Sequence, residues 1–314
     1  MTTLVTGASG FIGRHFVRAM KQRGRPLIAA VRIFDRQLGV PQVQVPKCAI
    51  SAAEWAPLMK NCDTVVYLLA RAHVLGDQSR ESIDVYRKIN TKIAYACAVA
   101  AATHGVRRFV FVSTIGVHGE SSGAEPIRAT SSLCPISPYA ISKVEAEAAV
   151  REAAIGSALQ WTIVRPPLVH GPDAPGNMGR LLRALDRRLP LPLGFVTENR
   201  RSLVGIDNLV DLLLVCLDHP SAANETFLVS DGEDLSTAAL LSQLGLAMHR
   251  PARLLPVPVP LLRVVATLMG RAQLASKLLD DLRVDIAHTR RTLGWSPPLD
   301  LARAIARTAG GLGS

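Results

Sequence analysis

The chain has 314 residues, 48% of them apolar and 4% aromatic, which is long enough for one large or two medium domains with an aliphatic core and too apolar for a disordered segment. No apolar run reaches the length of about 18 residues that spans a membrane, and the five scattered cysteines form no C-x-x-C pair, which argues against a disulfide framework or a zinc site. Lys and Arg outnumber Asp and Glu by 36 to 25, a net charge of +11 that suits nucleic acid, an anionic membrane surface or an anionic small substrate.

The first half alternates apolar strands with helices. "TLVTG" is a strand, and "GFIGRHFVRAMKQRG" a helix closed by Gly24. "LIAAV" is the second strand. "DTVVYLLA" (63–70) is another, followed by one long helix over 86–105. "RFVFVST" (108–114) is a strand, "SPYAISKVEAEAAVREAA" (137–154) a helix, and "WTIVRPP" (161–167) a strand stopped by two prolines. Continuous apolar strands separated by helices imply a parallel sheet covered on both faces, an α/β doubly wound architecture of the Rossmann type. After Pro167 the elements shorten, and prolines and glycines become frequent. "RRSLVGIDNLVDLLLVCLDHP" reads as strand then helix, and "TFLVSDGEDLSTAALLSQLGLAM" as strand, turn and capped helix. The expected division is a dinucleotide-binding domain over 1–166 and a smaller substrate lobe over 167–314, with some elements returning to the sheet. The most apolar late stretch, 254–270, is broken by three prolines and Arg263. The basic residues fall as doublets such as Arg107-Arg108 and Arg187-Arg188 rather than as dense runs with aromatics, so no nucleic-acid partner is expected. Met1-Thr2-Thr3 leads into the first strand without a basic leader, and no span is seen. The expected location is the cytoplasm.

Three groups of residues carry chemistry. Gly7, Gly10 and Gly13 join the first strand to the first helix in the spacing G-x-x-G-x-x-G. Such a turn lets backbone N–H groups and a helix N-terminus meet a pyrophosphate. Tyr139 and Lys143 lie four residues apart and share one helix face. An ammonium beside a phenol favours the phenolate, so Tyr139 is a candidate proton carrier for a hydroxyl that gains or loses hydride. Ser113 and Thr114 end a strand at the ligand edge of the sheet, where a hydroxyl meets the reacting oxygen. At the end of the second strand Val31 stands where an acid would anchor the ribose of NAD, and Arg32 follows. That pair favours NADP over NAD, with Asp35 as the nearest acid able to restore the NAD preference.

Together "TGASGFIG", "VVYLLA", "FVSTIGVHG", "YAISK", "VRPPLVHGP", "RRSLVGIDNLVDLL" and "LGWSPP" make the chain resemble, over essentially its whole length, the extended short-chain dehydrogenases/reductases of the NAD-dependent epimerase/dehydratase family. The resemblance implies that Thr114 is the catalytic hydroxyl. It places Phe11 and Ile12 in the cofactor loop, Leu68, Leu69, Ala70 and Arg71 in the cofactor wall, Asn90 beside the cofactor, and Pro166 and Pro167 against the nicotinamide. It further implies a nucleotide-diphosphate sugar as substrate. Asn177 and Arg201 would contact the diphosphate, Phe195 the base, and His73 with Arg71 the sugar or phosphates. Homodimers through helices near 90–105 and 140–154 are common in that family. Three departures stand out. The acid after the second strand is missing. Cys48 or Ala49 replaces an Asp expected near the adenine. The late arginine of the diphosphate clamp has only Lys277 or Arg283 as candidates. The expected activity is redox chemistry at C4 of a UDP-hexose, by a 4-epimerase or a 4-ketoreductase. Sugar 4,6-dehydratases of the family carry Asp-Glu after the strand-end Thr, whereas Ile115 and Gly116 follow Thr114 here. A cofactor-binding regulator without turnover, or a reductase of a non-nucleotide carbonyl, is the alternative. No metal is expected.

Overall fold

The computed structural model describes residues 1–46, 48–71 and 83–310. The strands are β1 (Thr3–Thr6), β2 (Leu27–Val31), β3 (Gln42–Gln44), β4 (Thr64–Tyr67), β5 (Arg108–Val112), β6 (Gln160–Arg165), β7 (Leu168–His170), β8 (Arg201–Gly205), β9 (Glu225–Leu228) and β10 (Asp234–Leu235). Among the described residues seven of them form one parallel sheet in the order β3-β2-β1-β4-β5-β6-β9. The order reverses beside β1, which opens a crevice at the carboxyl ends of β1 and β4.

The central strands β1, β4, β5 and β6 are largely apolar on both faces, and their residues alternate between two cores. Val5, Val66, Val110, Val112 and Val164 face one side, where Phe16, Val17 and Met20 of α1 (Phe11–Gln22) pack. Leu4, Val65, Tyr67, Phe109, Phe111 and Ile163 face the other. That side is covered by α2 (Ala52–Met59), by α3 (Ile83–Tyr86), which runs through a π turn over 87–92 into α4 (Ile93–Thr103), and by α5 (Pro138–Ala154). The alanines of α4 let it lie close against its neighbours; Ala94, Ala98 and Ala101 are fully buried.

Beyond β7 come α6 (Gly176–Asp186), α7 (Ile206–Asp218), α8 (Thr237–Ala247), α9 (Val259–Leu268), α10 (Ala272–Leu279), α11 (Ala287–Leu293) and α12 (Leu301–Gly310). Leu209, Leu212, Leu213 and Leu217 of α7 share the core under α1, and β9 pairs in parallel with β6. A second sheet, β10-β8-β7, and helices α6, α8 and α12 enclose a third core around Met178, Leu203, Leu241 and Ile305. Phe11, the first residue of α1, packs on both the first and the third core.

Candidate active site

The glycine turn is shaped by close approach. Gly7 has φ +65°, and a Cβ there would stand 2.8 Å from the Leu68 carbonyl carbon. A Cβ on Gly13 would stand 2.2 Å from the Gly7 oxygen. Helix α1 starts at Gly10 with no side-chain cap and no acidic residue in its first turn. Its first N–H groups and the positive end of its dipole are thus left for an anion. A loop that tolerates no side chain and presents uncommitted donors fits a dinucleotide pyrophosphate. Phe11 and Ile12 follow in that first turn, and both pack on the core beneath it.

The wall beside the turn is held from two sides. Thr6 Oγ1 accepts from the N–H groups of Leu68 and Leu69 at 3.2 and 3.3 Å. Buried Asn90, in the π turn, accepts from Arg71 N at 2.8 Å and donates to Arg71 O at 3.2 Å. The same amide donates to Ser142 Oγ at 2.9 Å, tying the wall over 68–71 to the residue before Lys143. A π turn inserted into a helix is often found at a functional site, and here it sets the depth of Asn90.

Ser137 caps α5 by accepting from Ala140 N, and Pro138 occupies the first turn. That fixes the helix carrying Tyr139 and Lys143. Lys143 is 1% exposed; its Nζ donates to Val112 O at 2.7 Å and lies 3.9 Å above the Phe111 ring. Burial lowers its pKa to about 7, with Glu147 pulling in the opposite direction. Burial also pushes the Tyr139 phenol up to about 12. Desolvation thus drives Tyr139 and Lys143 both toward their neutral forms, against the pull of an ammonium on the phenol that the sequence suggests. The strand-end hydroxyls part company. Ser113 Oγ is buried beside Glu147 and helps to hold its carboxyl low. Thr114 stays part-exposed and accepts from Gly116 N at 3.2 Å. A Cβ on Gly116 would meet both Thr114 Oγ1 and Ala140 Cβ within 4 Å, which puts Thr114 beside the start of α5. Ile115 N donates to Pro166 O at 2.8 Å, drawing the Pro166-Pro167 segment to the same place.

Sequence reasoning missed the group beneath this site. Glu147 continues the Tyr139–Lys143 face by one more turn and is fully buried. It accepts from Arg165 Nε and Nη2 at 2.9 and 2.6 Å. Burial alone would raise its pKa, but Arg165 holds the carboxyl below the usual range. Arg165 Nη1 also donates to His118 Nε2 at 2.9 Å. Burial and the charge of Arg165 together keep His118 low. The four-residue spacing from Lys143 to Glu147 was the available signal.

At the adenosine end Arg32 is exposed. Asp35 is committed elsewhere: it accepts from Arg14 Nη2 at 3.0 Å and caps a short turn through Gln37 N. Cys48 is exposed, whereas Ala49 is buried with φ +54° and accepts from Trp55 Nε1 through its carbonyl. In the C-terminal lobe Asn177 lies in the first turn of α6, and Phe195 is 55% exposed. Arg201 opens β8 and donates to Asp280 O at 2.7 Å. Burial lowers its pKa, opposed by Asp280, Asp281 and Glu120. Lys277 pairs with Glu120 at 3.2 Å, and Arg283 donates to Ala124 O. His73 lies outside the described residues. The structure thus gathers the glycine turn, the 68–71 wall, Asn90, Thr114, α5 and Pro166 at the carboxyl ends of β1, β4, β5 and β6, with Arg32 at one end and Asn177, Phe195 and Arg201 in the lobe.

A parallel sheet carrying this turn and this tyrosine–lysine helix is a short-chain dehydrogenase/reductase fold. The model of the NAD dependent epimerase/dehydratase family matches residues 3–230. A UDP-glucose 4-epimerase of Vibrio cholerae is 38% identical over 98% of this chain and 94% of that protein. A dTDP-glucose 4,6-dehydratase of Streptomyces griseus is 31% identical over 98% of this chain and 93% of its own. Among solved structures, a UDP-glucose 4-epimerase of Thermotoga maritima with UDP-glucose superposes with TM-score 0.80 at 21% identity, covering 99% and 98% of the two chains. The chain belongs to the NAD dependent epimerase/dehydratase family.

Proposed function

We propose that the protein inverts C4 of a UDP-hexose, interconverting UDP-glucose and UDP-galactose or a close analogue. The observation that carries this reading is the full-length similarity to the Vibrio cholerae 4-epimerase, joined to the Thr114, Tyr139 and Lys143 set. A nicotinamide cofactor, which the glycine turn, the 68–71 wall and Lys143 would hold, would supply the hydride acceptor and donor at C4. Thr114 already accepts from Gly116 N, which leaves its own proton for the sugar oxygen. Tyr139 carries the proton of the C4 hydroxyl out and back. Lys143, anchored on Val112 O, would have its other donors for the nicotinamide ribose. Asn177 and Arg201 hold the diphosphate, a charge-assisted contact that suits a guanidinium, and Phe195 covers the base. Residues 1–166 serve the cofactor, and 167–314 mainly the sugar nucleotide. The dehydratase reading is disfavoured, because buried Ile115 and Gly116 offer no acid or base where water would be eliminated. Five unpaired thiols and a nucleotide-sugar substrate fit a cytoplasmic setting.

The adenosine end favours NADP. Arg32 suits a 2′-phosphate, and Asp35, engaged by Arg14, is not available to a ribose. Replacing Arg32→Asp shifts binding from NADP toward NAD; equal affinities in parent and variant would put Arg32 outside the ribose pocket. The test of the reaction is incubation of the purified protein with UDP-glucose, alone and with added NAD or NADP. UDP-galactose should form with no net change in cofactor redox state. Stoichiometric loss of NADPH with a UDP-4-keto sugar, and no epimer from UDP-glucose, would make the enzyme a ketoreductase instead.

A further inference from the structure

Helix α9 turns an apolar stripe away from the protein. Leu261, Val264, Val265 and Leu268 repeat at i, i+3, i+4 and i+7, which gathers them on one side. In a surface helix that side normally faces the core. Here the four are 44–83% exposed, and Met269 extends the stripe at 59%. The opposite side of the helix rests on the lobe through Val259 and Leu262.

The segment that carries this stripe is basic, and Arg250, Arg263 and Lys277 are paired across it with Asp186, Asp280 and Glu120. Residues 235–279 contain no Asp or Glu, but do contain Arg250, Arg253, Arg263, Arg271 and Lys277. Arg253 and Arg271 flank α9, are exposed, and form no ion pair among the described residues. A second copy would bring another chain of net charge +11 against these arginines, and the 235–279 segment has no acidic residue to meet them. An anionic bilayer satisfies both features: an apolar boundary for the stripe and phosphates for the arginines. Ten residues of helix rise about 15 Å, half of the roughly 30 Å hydrocarbon core, so α9 lies along the interface rather than across it.

We propose that α9 docks the protein on the surface of an anionic phospholipid bilayer, with its apolar stripe at the acyl boundary and Arg253 and Arg271 on headgroup phosphates. The docking face borders the substrate lobe. Arg263 of α9 donates to Asp280 Oδ1 at 2.6 Å, and the Asp280 carbonyl accepts from Arg201 at 2.7 Å.

The test is flotation of the full chain with phosphatidylcholine vesicles, with and without about 30% phosphatidylglycerol. The protein should float with the anionic vesicles only, and less so as salt rises. The double variant Val264→Glu/Leu268→Glu should lose affinity about tenfold or more, and Arg253→Glu/Arg271→Glu similarly. Both should melt as the parent does by circular dichroism, since these side chains are exposed. Absence of binding to anionic vesicles at low salt would overturn the proposal, as would binding that neither double variant weakens. A dimer seen by light scattering and converted to monomer by Val264→Glu/Leu268→Glu would assign the stripe to a second copy instead, and so would overturn it too.

Discussion

At Tyr139 and Lys143 the protein holds two titratable groups in forms opposed to their charges. Removing the phenol oxygen alone, Tyr139→Phe, keeps the ring packing and deletes the proton carrier. Turnover should fall about 10²–10⁴-fold while cofactor titration stays nearly unchanged; activity within a few-fold of the parent would remove Tyr139 from the chemistry. Lys143 makes a prediction about stability. Its folded pKa, about 7, lies below the 10.5 of an unburied lysine. Between those values the unfolded chain binds more protons than the folded one, so this group makes stability rise with pH from about 7 to 10.5 and exacts its full penalty below 7. Lys143→Met removes the penalty, less the hydrogen bond to Val112 O. The variant should therefore be inactive yet more stable by about 1–2 kcal/mol near pH 6, an advantage that fades toward pH 10. Urea unfolding across that range measures it, and a pH-independent difference would show that Lys143 is not desolvated.

At the scale of the element, the α1 turn separates two uses of glycine. A methyl on Gly13 would meet the Gly7 oxygen and Ala8 backbone, so Gly13→Ala must push α1 off the loop. The expected cost is about 1–3 kcal/mol by overpacking, with loss of cofactor affinity. Gly24, with φ +62°, has nothing within 4 Å of an added Cβ. Gly24→Ala should cost about 1 kcal/mol and leave cofactor binding intact. Thermal unfolding and fluorescence titration distinguish the two, and equal cofactor affinity in both variants would refute the cradle. These turns, and the strands they follow, were legible because continuous apolar runs and glycine positions are local signals. The strand ends were less so: β5 stops at Val112, where the sequence run continues to Thr114, because Thr114 caps the tight turn that follows while Ser113 N still donates to Val164 O. The helix read as continuous over 86–105 contains the π turn, which answers to Asn90 bonding Arg71, a contact across 19 residues. The Glu147–Arg165–His118 group was illegible for the same reason. Each member looks ordinary until folding brings the three together. In the C-terminal lobe, Asn177, Phe195 and Arg201 were reached through family blocks, since short proline-broken elements carry little periodicity.

Across the whole molecule, one buried knot joins the two sheets to the C-terminal helix. His170 of β7 bridges Thr308 of α12 at 2.9 Å and Asp231, just after β9, at 2.8 Å. Asp231 also accepts from Gly205 N and Asn208 Nδ2 at the start of α7. Asp231→Ala strands three buried donors, and the expected loss is about 2–5 kcal/mol. Because the knot ties the end of β9 in the seven-stranded sheet to β7, β8 and α12, calorimetry should show the whole transition moving down together; an early melt of the second sheet and its helices alone would mean that the two sheets are held otherwise.

The seventh strand has a consequence for how the protein is made. When a ribosome has delivered residue 166, β6 ends the sheet with a bare hydrogen-bonding edge, and the leucines of α7 that cover α1 and its strands do not yet exist. By residue 228 α7 has covered that face and β9 has covered the β6 edge, leaving the four-residue β9 as the edge of the finished sheet. Until then the nascent chain offers an open parallel edge and an uncovered apolar face, the combination that invites misassembly. Arrest of translation inside the 59 residues between β6 and β9 should therefore yield chains that aggregate or recruit chaperones, whereas arrest after β9 should yield chains in which β6 is paired and the face is covered.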